Sequence, residues 1–365
     1  MPPMHDPTSD RSELVAEPAG VLGHLSWLDR LLPLWILLAM AGGLLLGRLV
    51  PGLQALLGSV QVDHTSLPIA LGLLLMMYPV LAKVRYGEIS HVGGDRRLLW
   101  LSLLLNWLIG PLLMFSLAWL FLADAPGFRT GLIVIGLARC IAMVLIWNDL
   151  ACGDREAAAL LVAINSIFQI LAYALLGSFY LQILPLWLGL DAQAVQFSAW
   201  EISKAVLIFL GIPLLAGAIT RWLGVRLKGM RWYETRFLPR LSPWALYGLL
   251  FTIVVMFALQ GQAITGNPWM VARVALPLLL YFLIMWSLAL GLCRRAGLDY
   301  ARAAAVAFTA AGNNFELAIA VSIGVWGVTS QQAVAGVIGP LIEVPALVAL
   351  VCLSLWLRPR LWRRD

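Results

Sequence analysis

LARCIAMVLIWND, residues Leu137–Asp149, is the segment that decides the fold. Its apolar residues are typical of a helix that crosses a bilayer, yet it carries Arg139 beside Cys140. A charge near the middle of a membrane costs roughly 2.5–3.5 kcal/mol, so a chain keeps one where it lines a path or a binding site. An adjacent positive charge also favours thiolate chemistry at a cysteine. The segment therefore predicts a membrane protein with a soft ligand inside it.

The composition agrees with a membrane location. Of 365 residues, 61% are hydrophobic and 12% are charged, whereas soluble domains carry about 25% charged residues. The four cysteines show no paired spacing, and the four histidines lie outside the apolar runs, so neither a disulfide framework nor a histidine metal site is expected. Residues 1–28 lack the basic region and apolar core of a signal peptide, which indicates a disordered tail.

Ten apolar segments reach the span of about 17–20 residues that a membrane helix needs. They are approximately 31–50, 67–83, 98–122, 130–148, 157–184, 204–222, 243–261, 268–292, 302–325 and 332–357. Prolines 33, 68, 243 and 268 are predicted in first helical turns, where a missing N–H costs nothing. Asp154, Asn267 and Ser330 are predicted N-caps.

Loop charges predict the orientation. Arginines and lysines concentrate in the loops after predicted helices 2, 6 and 8 and at the C-terminal end, whereas the opposite loops contain only Arg129. Because basic loops stay on the cytoplasmic side, both termini are predicted to be cytoplasmic. The protein is then a multi-pass protein of the cell (inner or plasma) membrane.

The two halves of the chain look related. An offset of 174 residues places Arg139 on Asn313, Cys140 on Asn314 and Gln169 on Glu343. Each half holds an odd number of predicted helices, so the halves must insert in opposite orientations, as in the inverted repeats of secondary transporters. The predicted units are residues 29–190 and 191–357, each with five helices, followed by a basic cytoplasmic tail at 358–365.

Polar residues inside the predicted helices are the candidates for function. They are Arg139, Cys140, Trp147 and Asn148 in helix 4, Asn165 and Gln169 in helix 5, Asn313, Asn314 and Glu316 in helix 9, and Glu343 in helix 10. Residues 311–314 contain weak helix formers at mid-segment, namely Gly312, Asn313 and Asn314, and predict a local unwinding. Helix 4 carries no such signal, and its own sequence does not predict a break.

Each candidate has a structural alternative. Buried cysteines are often inert, and Trp147 lies near a helix end, where tryptophan anchors at the membrane interface. Glu316 and Glu343 could each form a static ion pair with Arg139. If they do not, two protonatable carboxylates and an arginine indicate proton-coupled transport. The thiol indicates a soft substrate, and a single thiol with polar neighbours can bind it and release it.

Three motifs carry a family resemblance. Residues 137–150, 313–320 (NNFELAIA) and 336–345 (GVIGPLIEVP) resemble the signatures of helices 4, 9 and 10 in the yeast-type arsenical resistance permeases, the arsenite efflux carriers. The resemblance covers roughly residues 30–357. Those carriers belong to the bile acid/sodium symporter-like superfamily. The resemblance thus implies an all-α membrane protein of ten transmembrane helices, with crossed, interrupted helices 4 and 9.

The resemblance also implies an activity. It implies efflux of trivalent arsenic, As(OH)3, driven by inward proton movement, with antimonite as a further candidate. It implies that Cys140 and Glu316 are the required pair. Supporting site residues are then Arg139, Trp147, Asn165, Asn314 and Glu343. A carrier of this kind is not an enzyme, and no cofactor, bound metal or nucleic acid is expected beyond the proton gradient. The oligomeric state stays open.

Two alternatives remain at this point. A sodium-coupled importer of organic anions, from the same superfamily, would use Glu316, Asn314 and Gln169 for sodium but would leave Cys140 without a role. An intramembrane thiol enzyme or redox sensor would need a base or resolving partner near Cys140. No histidine lies in the apolar runs, and the other cysteines map to the cytoplasmic side.

Overall fold

The computed structural model describes residues 31–50, 52–53, 61–62, 65–84, 95–141, 143–190 and 198–362. The regular structure of this part of the chain is helical except for one antiparallel pair of two-residue strands, β1 (Gln61–Val62) and β2 (Thr65–Ser66). The predicted tail at 1–28 lies outside the described residues, as do residues 191–197, where the second predicted repeat begins.

The helices follow the predicted apolar segments. They are α1 (Leu32–Leu49), α2 (Leu67–Lys83), α3 (Arg96–Leu122), α4 (Pro126–Leu137), α5 (Val144–Leu150), α6 (Arg155–Trp187), α7 (Ala199–Lys228), α8 (230–266), α9 (Pro268–Arg295), α10 (Tyr300–Ala311), α11 (Phe315–Trp326) and α12 (Gln331–Leu361). In the described ranges, six helices are long and apolar enough to cross a membrane, namely α3, α6, α7, α8, α9 and α12.

The predicted ends are largely confirmed. Asp154 accepts hydrogen bonds from two first-turn N–H groups of α6, and Asn267 and Ser330 each accept one at the start of α9 and α12. Pro243 is an exception, because it lies inside α8 rather than in its first turn. The helix begins at residue 230, before the apolar run that starts at 243, and includes the basic segment between them. The apolar run marks only the part of the helix that favours lipid.

Predicted helices 4 and 9 are both broken. The fourth apolar segment forms α4 and α5 with an irregular stretch between them, and the ninth forms α10 and α11 in the same way. The break in the ninth segment follows the sequence signal at residues 311–314. The break in the fourth does not follow from its own sequence, although the family resemblance implies it.

The helices pack in two groups. In the first, α8 lies along α1 and α2, and α7 lies along α2. In the second, α9 packs against α3, α10 and α12, and α4 packs against α3 and α12. The two groups meet where α6 and α11 contact α7. Both helix breaks belong to the second group.

Glycines allow helix backbones in the first group to touch at two contacts. A Cβ at Gly43 of α1 would lie 2.6 Å from the carbonyl oxygen of Val254 in α8. A Cβ at Gly217 of α7 would lie 2.8 Å from the amide nitrogen of Ala82 in α2. Small residues are the usual means of close helix packing in membranes, where no hydrophobic force drives helices together.

One arginine ties together the starts of three helices in the second group. Asp95, Asp154 and Asp299 are the N-caps of α3, α6 and α10. Arg302 lies 3.2, 3.8 and 3.6 Å from their carboxylates, respectively. The cluster therefore fixes the start of α10, whose other end at Ala311 reaches the second break, against the starts of α3 and α6.

A second ion pair holds the turn between α3 and α4. Arg273 of α9 donates to both carboxylate oxygens of Asp124, at 2.9 and 2.5 Å. These hydrogen bonds lower the pKa of the Asp124 carboxyl. The pair is largely exposed, so its effect on stability is small.

We expect Gly43→Ala to destabilise the protein by about 1–3 kcal/mol, because the added methyl group overpacks the α1–α8 contact. The matched control is Gly42→Ala, since a Cβ at Gly42 meets no atom within 4 Å. Thermal unfolding of the purified protein in detergent measures both. Equal unfolding temperatures for the two variants would show that the glycine contact does not hold α1 to α8.

Candidate site at the crossing of two helix breaks

The two breaks cross and pair with each other. Arg139 and Asn313 form an isolated antiparallel bridge between them. The Cys140 N–H donates to the Gly312 carbonyl at 3.3 Å, and the Asn314 N–H donates to the Ala138 carbonyl at 3.0 Å. The backbone groups released by one break are thereby satisfied by the other, as irregular backbone at membrane depth requires.

Side chains of neighbouring helices complete the crossing. Gln169 of α6 accepts a hydrogen bond from the Arg139 N–H through Oε1 at 2.5 Å. Glu343 of α12 accepts one from the Asn313 N–H through Oε1 at 3.2 Å. The offset of 174 residues that relates Arg139 to Asn313 also relates these two acceptors. A neutral amide thus stands at one break, and an ionisable carboxyl stands at the equivalent position of the other.

The Arg139 side chain is fully buried beside the crossing. Its Nη2 donates to the carbonyl of Gly136 in the last turn of α4. Its Nη1 donates to the Tyr281 hydroxyl at 2.8 Å and to the carbonyl of Ala310, in the last turn of α10, at 3.5 Å. Carbonyl groups at a helix C-terminus carry partial negative charge, so the guanidinium stabilises both half-helices.

The sequence alone does not identify Tyr281 as a site residue. Tyr281 lies in the middle of α9 and is fully buried. A tyrosine in an apolar helix reads as ordinary packing, and only the structure shows that its hydroxyl contacts Arg139.

The Arg139 guanidinium is not directed towards the Cys140 thiol, although the two residues are adjacent in the sequence. Among the described residues, no hydrogen bond joins the Arg139 guanidinium to Cys140, because the guanidinium is directed towards the helix ends. Cys140 is buried and packs against the second break. A Cβ at Gly312 would lie 3.0 Å from the Cys140 Cβ and 3.6 Å from its sulfur.

The two carboxylates occupy different positions at the second break. Glu316 lies half-buried in the first turn of α11, where the positive end of the helix dipole favours a carboxylate. Asn314 caps the same helix by accepting from the Leu317 N–H at 3.0 Å. Glu343 is buried and bonded to Asn313. Within the described ranges, no salt bridge joins either carboxylate to Arg139.

Trp147 and Asn165 lie buried near the breaks. Trp147 in α5 is fully buried, so it is not an anchor at the membrane interface. Asn165 precedes Gln169 by one turn of α6 and shares its face. The Asn165 Oδ1 accepts from the indole nitrogen of Trp107 at 3.1 Å. Trp107 is a further residue that the sequence alone does not identify. It lies in a π-helical turn of α3, a feature that often marks functional sites.

Many polar atoms around the crossing have no protein partner. Buried polar groups are normally hydrogen-bonded to protein or water, so such a concentration marks a polar site. In the described part of the chain, these atoms include Arg139 Nε, Trp147 Nε1, Asn165 Nδ2, Gln169 Nε2, Asn313 Nδ2 and Oδ1, and Asn314 Nδ2. Within the same part of the chain, Asn148 also has an unpartnered amide, but it lies beside Gly153 at the far end of α5.

A cavity of about 370 Å³ lies between the two helix groups and reaches the first break. Met143, at the end of that break, forms part of its lining together with apolar residues of α2, α5 and α8. Lys83, Asp149 and Arg155 also line it, and Arg155 forms an ion pair with Asp149 at 2.6 Å. The cavity thus extends from the break to charged residues on the side that the loop charges predict to be cytoplasmic.

Comparisons with known proteins match this architecture. The model of the Sodium Bile acid symporter family matches residues 70–267. The chain is 59% identical to the arsenical-resistance protein Acr3 of Corynebacterium glutamicum, over 96% of this chain and 94% of that protein. It is 34% identical to the uncharacterized transporter slr0944 of Synechocystis, over 90% and 88% of the two chains.

A more distant relative carries the same name as the first. The arsenical-resistance protein Acr3 of Alkaliphilus metalliredigens is 29% identical over 90% of this chain and 93% of its own length. The long apolar helices and these matches together identify a multi-pass membrane transporter and not an enzyme. The chain belongs to the sodium bile acid symporter family and, within it, to the arsenical-resistance transporters of the Acr3 type.

Proposed function

We propose that this transporter exports trivalent arsenic, as neutral As(OH)3, from the cytoplasm in exchange for protons. The observation that carries the proposal is the position of Cys140, which lies buried at the crossing of the two breaks. A thiol is a soft ligand and suits a thiophilic substrate. The relatives from Corynebacterium glutamicum and Alkaliphilus metalliredigens are named arsenical-resistance proteins.

The proposed binding step is a reversible exchange at arsenic. The Cys140 sulfur forms one S–As bond while one As–OH bond breaks, and the hydroxyl leaves as water with the thiol proton. Trp147, Asn165 and Asn314 offer unpartnered N–H groups to the remaining hydroxyls. One thiol allows release, whereas three would trap the metalloid. Antimonite has the same chemistry and is proposed as a second substrate.

Glu316 and Glu343 are the proposed proton carriers. Neither is held in an ion pair with Arg139 among the described residues, so each is able to take up and release a proton. Glu343 also bonds the second break directly, through the Asn313 N–H. Protonation there and occupation of the thiol at the first break are thereby linked through one backbone crossing.

We further propose ten transmembrane helices in two inverted repeats of five. The half-helices α4 and α10 have 12 residues each, and both ends differ by the same offset of 174 residues. The same offset relates Gly43 to Gly217, each of which brings its helix into backbone contact with another. It also relates the hydrogen bonds on the two sides of the crossing.

The proposed loading side is the cytoplasm. The cavity between the helix groups passes from Lys83 and Arg155 towards Met143. Because basic residues remain cytoplasmic, an exporter with both termini in the cytoplasm would receive its substrate there. The protein is proposed to act in the cell (inner or plasma) membrane.

We expect everted membrane vesicles to accumulate arsenite when they contain the wild-type protein. Cys140→Ser should reduce uptake by at least roughly tenfold, the equivalent of about 1.4 kcal/mol, because the S–As bond is lost. Cys352→Ser is the control, since that cysteine is exposed on α12. Uptake by Cys140→Ser at the wild-type rate would remove the thiol from the mechanism.

We expect a proton gradient, and not a sodium gradient, to drive this uptake. Glu316→Gln and Glu343→Gln replace each carboxyl by an amide of the same shape, and both should weaken the dependence of transport on pH. In Glu343→Gln the amide oxygen still accepts from the Asn313 N–H, as Gln169 does at the first break, so arsenite binding should persist. Sodium-driven uptake would instead support an organic-anion type of coupling.

We expect a fluorescent protein fused after residue 365 to fluoresce, and a phosphatase fused there to be inactive, because the C-terminus is cytoplasmic. A phosphatase inserted in the turn at residues 123–125 should be active, since that turn belongs to the opposite set of loops. Activity of the phosphatase at the C-terminus would contradict the proposed cytoplasmic location of the C-terminus.

A further inference from the structure

Arg139 contacts the ends of two half-helices that come from different halves of the chain. Gly136 belongs to the last turn of α4, and Ala310 belongs to the last turn of α10. One guanidinium donates to both carbonyls. Since its two Nη atoms are occupied by protein groups, the arginine acts on the crossing itself rather than on a ligand in the cavity.

Tyr281 of α9 contacts both Arg139 and the end of α10. Its hydroxyl accepts from Arg139 Nη1 at 2.8 Å and donates to the Ala310 carbonyl at 3.4 Å. The hydroxyl therefore lies between the guanidinium and the end of α10. Its ring packs edge-on against Phe282, with ring centroids 6.0 Å apart, and the whole side chain is buried.

Gly110 of α3 provides the space for these two groups. A Cβ at this position would lie 2.8 Å from Arg139 Nη1 and 3.1 Å from the Tyr281 hydroxyl. Gly110 follows the π-helical turn Leu105–Ile109, and its N–H donates to the Leu105 carbonyl. The backbone of α3 at Gly110 thus packs directly against the Arg139 guanidinium.

We propose that Tyr281 is a positioning residue of the transport site, which acts through Arg139 and with Gly110 as its backing. The three residues form a clamp that holds α4 and α10 together at their C-terminal ends. Cys140 follows Arg139 directly, and its backbone N–H donates to the Gly312 carbonyl. The clamp therefore sets the position of the Cys140 thiol against the second break.

The clamp acts on binding more than on turnover. When the Tyr281 hydroxyl is lost, Arg139 keeps its charge but loses the partner that directs Nη1, and the crossing loosens. Cys140 then meets arsenite in a less favourable position. This expectation rests on the proposed function, because it takes arsenite as the transported substrate.

The first experiment measures arsenite uptake into everted vesicles over a range of concentrations. Tyr281→Phe should raise KM roughly tenfold, as expected for a hydrogen bond to a charged group, with Vmax per folded transporter little changed. Tyr180→Phe is the control, since that buried tyrosine has no hydroxyl hydrogen bond among the described residues. A loss of Vmax at unchanged KM would indicate a merely structural role and overturn the proposal.

A double-mutant cycle tests whether Tyr281 acts through Arg139. Arg139→Lys keeps the charge but removes the planar fork that reaches two carbonyls. In the Arg139→Lys background, Tyr281→Phe should add little to the increase in KM. If the increase in KM of the double variant equals the product of the two single increases, Tyr281 acts independently of Arg139 and the clamp is overturned.

A second measurement does not depend on transport. Purified wild-type protein and variants are treated with N-ethylmaleimide, and labelling of each cysteine is followed by peptide mass spectrometry. Cys140 should be labelled roughly tenfold faster in Tyr281→Phe, which loses the hydrogen bond to Arg139. It should also be labelled faster in Gly110→Ala, whose added methyl group displaces Arg139 and Tyr281. Cys293, which is also fully buried, should label at an unchanged rate in both variants.

Controls separate this proposal from the proposed function. Gly291→Ala and Tyr180→Phe should leave Cys140 labelling unchanged, since a Cβ at Gly291 meets no atom within 4 Å. If the wild-type protein does not transport arsenite, the proposed function is contradicted. The labelling result would still show whether Tyr281 positions Cys140. Equal Cys140 labelling in wild type and Tyr281→Phe would overturn the clamp whatever the substrate is.

Discussion

Two helix breaks buried inside this protein must satisfy the backbone groups that the breaks release, and the rest of the structure depends on how they do so. Water is scarce in such an interior, and an unsatisfied polar group there costs about 1–3 kcal/mol. The two breaks bond to each other through Cys140 and Asn314. Gln169 and Glu343 take up two more N–H groups, and Arg139 bonds to carbonyls at both helix ends.

The crossing is symmetric in its backbone and asymmetric in its side chains. Equivalent backbone bonds run in both directions, but the first break carries the arginine and the thiol, while the carboxylates stand at the second. Identical side chains at both breaks would place like groups side by side, which for charges is unfavourable. The asymmetry instead places in one site the thiol that is proposed to bind arsenite and the carboxylates that are proposed to carry protons.

The helices around the crossing form two groups, each held together by its own contacts, with a cavity between them. Arg302 and its three aspartates tie the starts of α3, α6 and α10 together. The glycine contacts hold α1 to α8 and α7 to α2 as a different group. The cavity of about 370 Å³ lies between the groups and reaches the first break. A relative movement of the two groups would therefore change the cavity beside Met143, at the end of the first break, without dismantling the crossing.

The sequence by itself determined the apolar segments, most helix ends, the charged loops and the polar residues of the motifs. These properties are local, because hydrophobic length, caps and loop charge act through neighbouring residues. Only the tertiary structure decided where helix 4 breaks and what Tyr281 does. The segment around Arg139 is apolar and lacks proline, so its break depends on partners from elsewhere: the hydroxyl of Tyr281 lies 142 residues away along the chain, and the backbone of the second break is similarly distant. Hydrogen bonds between such remote groups form only once the helices are packed, so no local pattern could have indicated them.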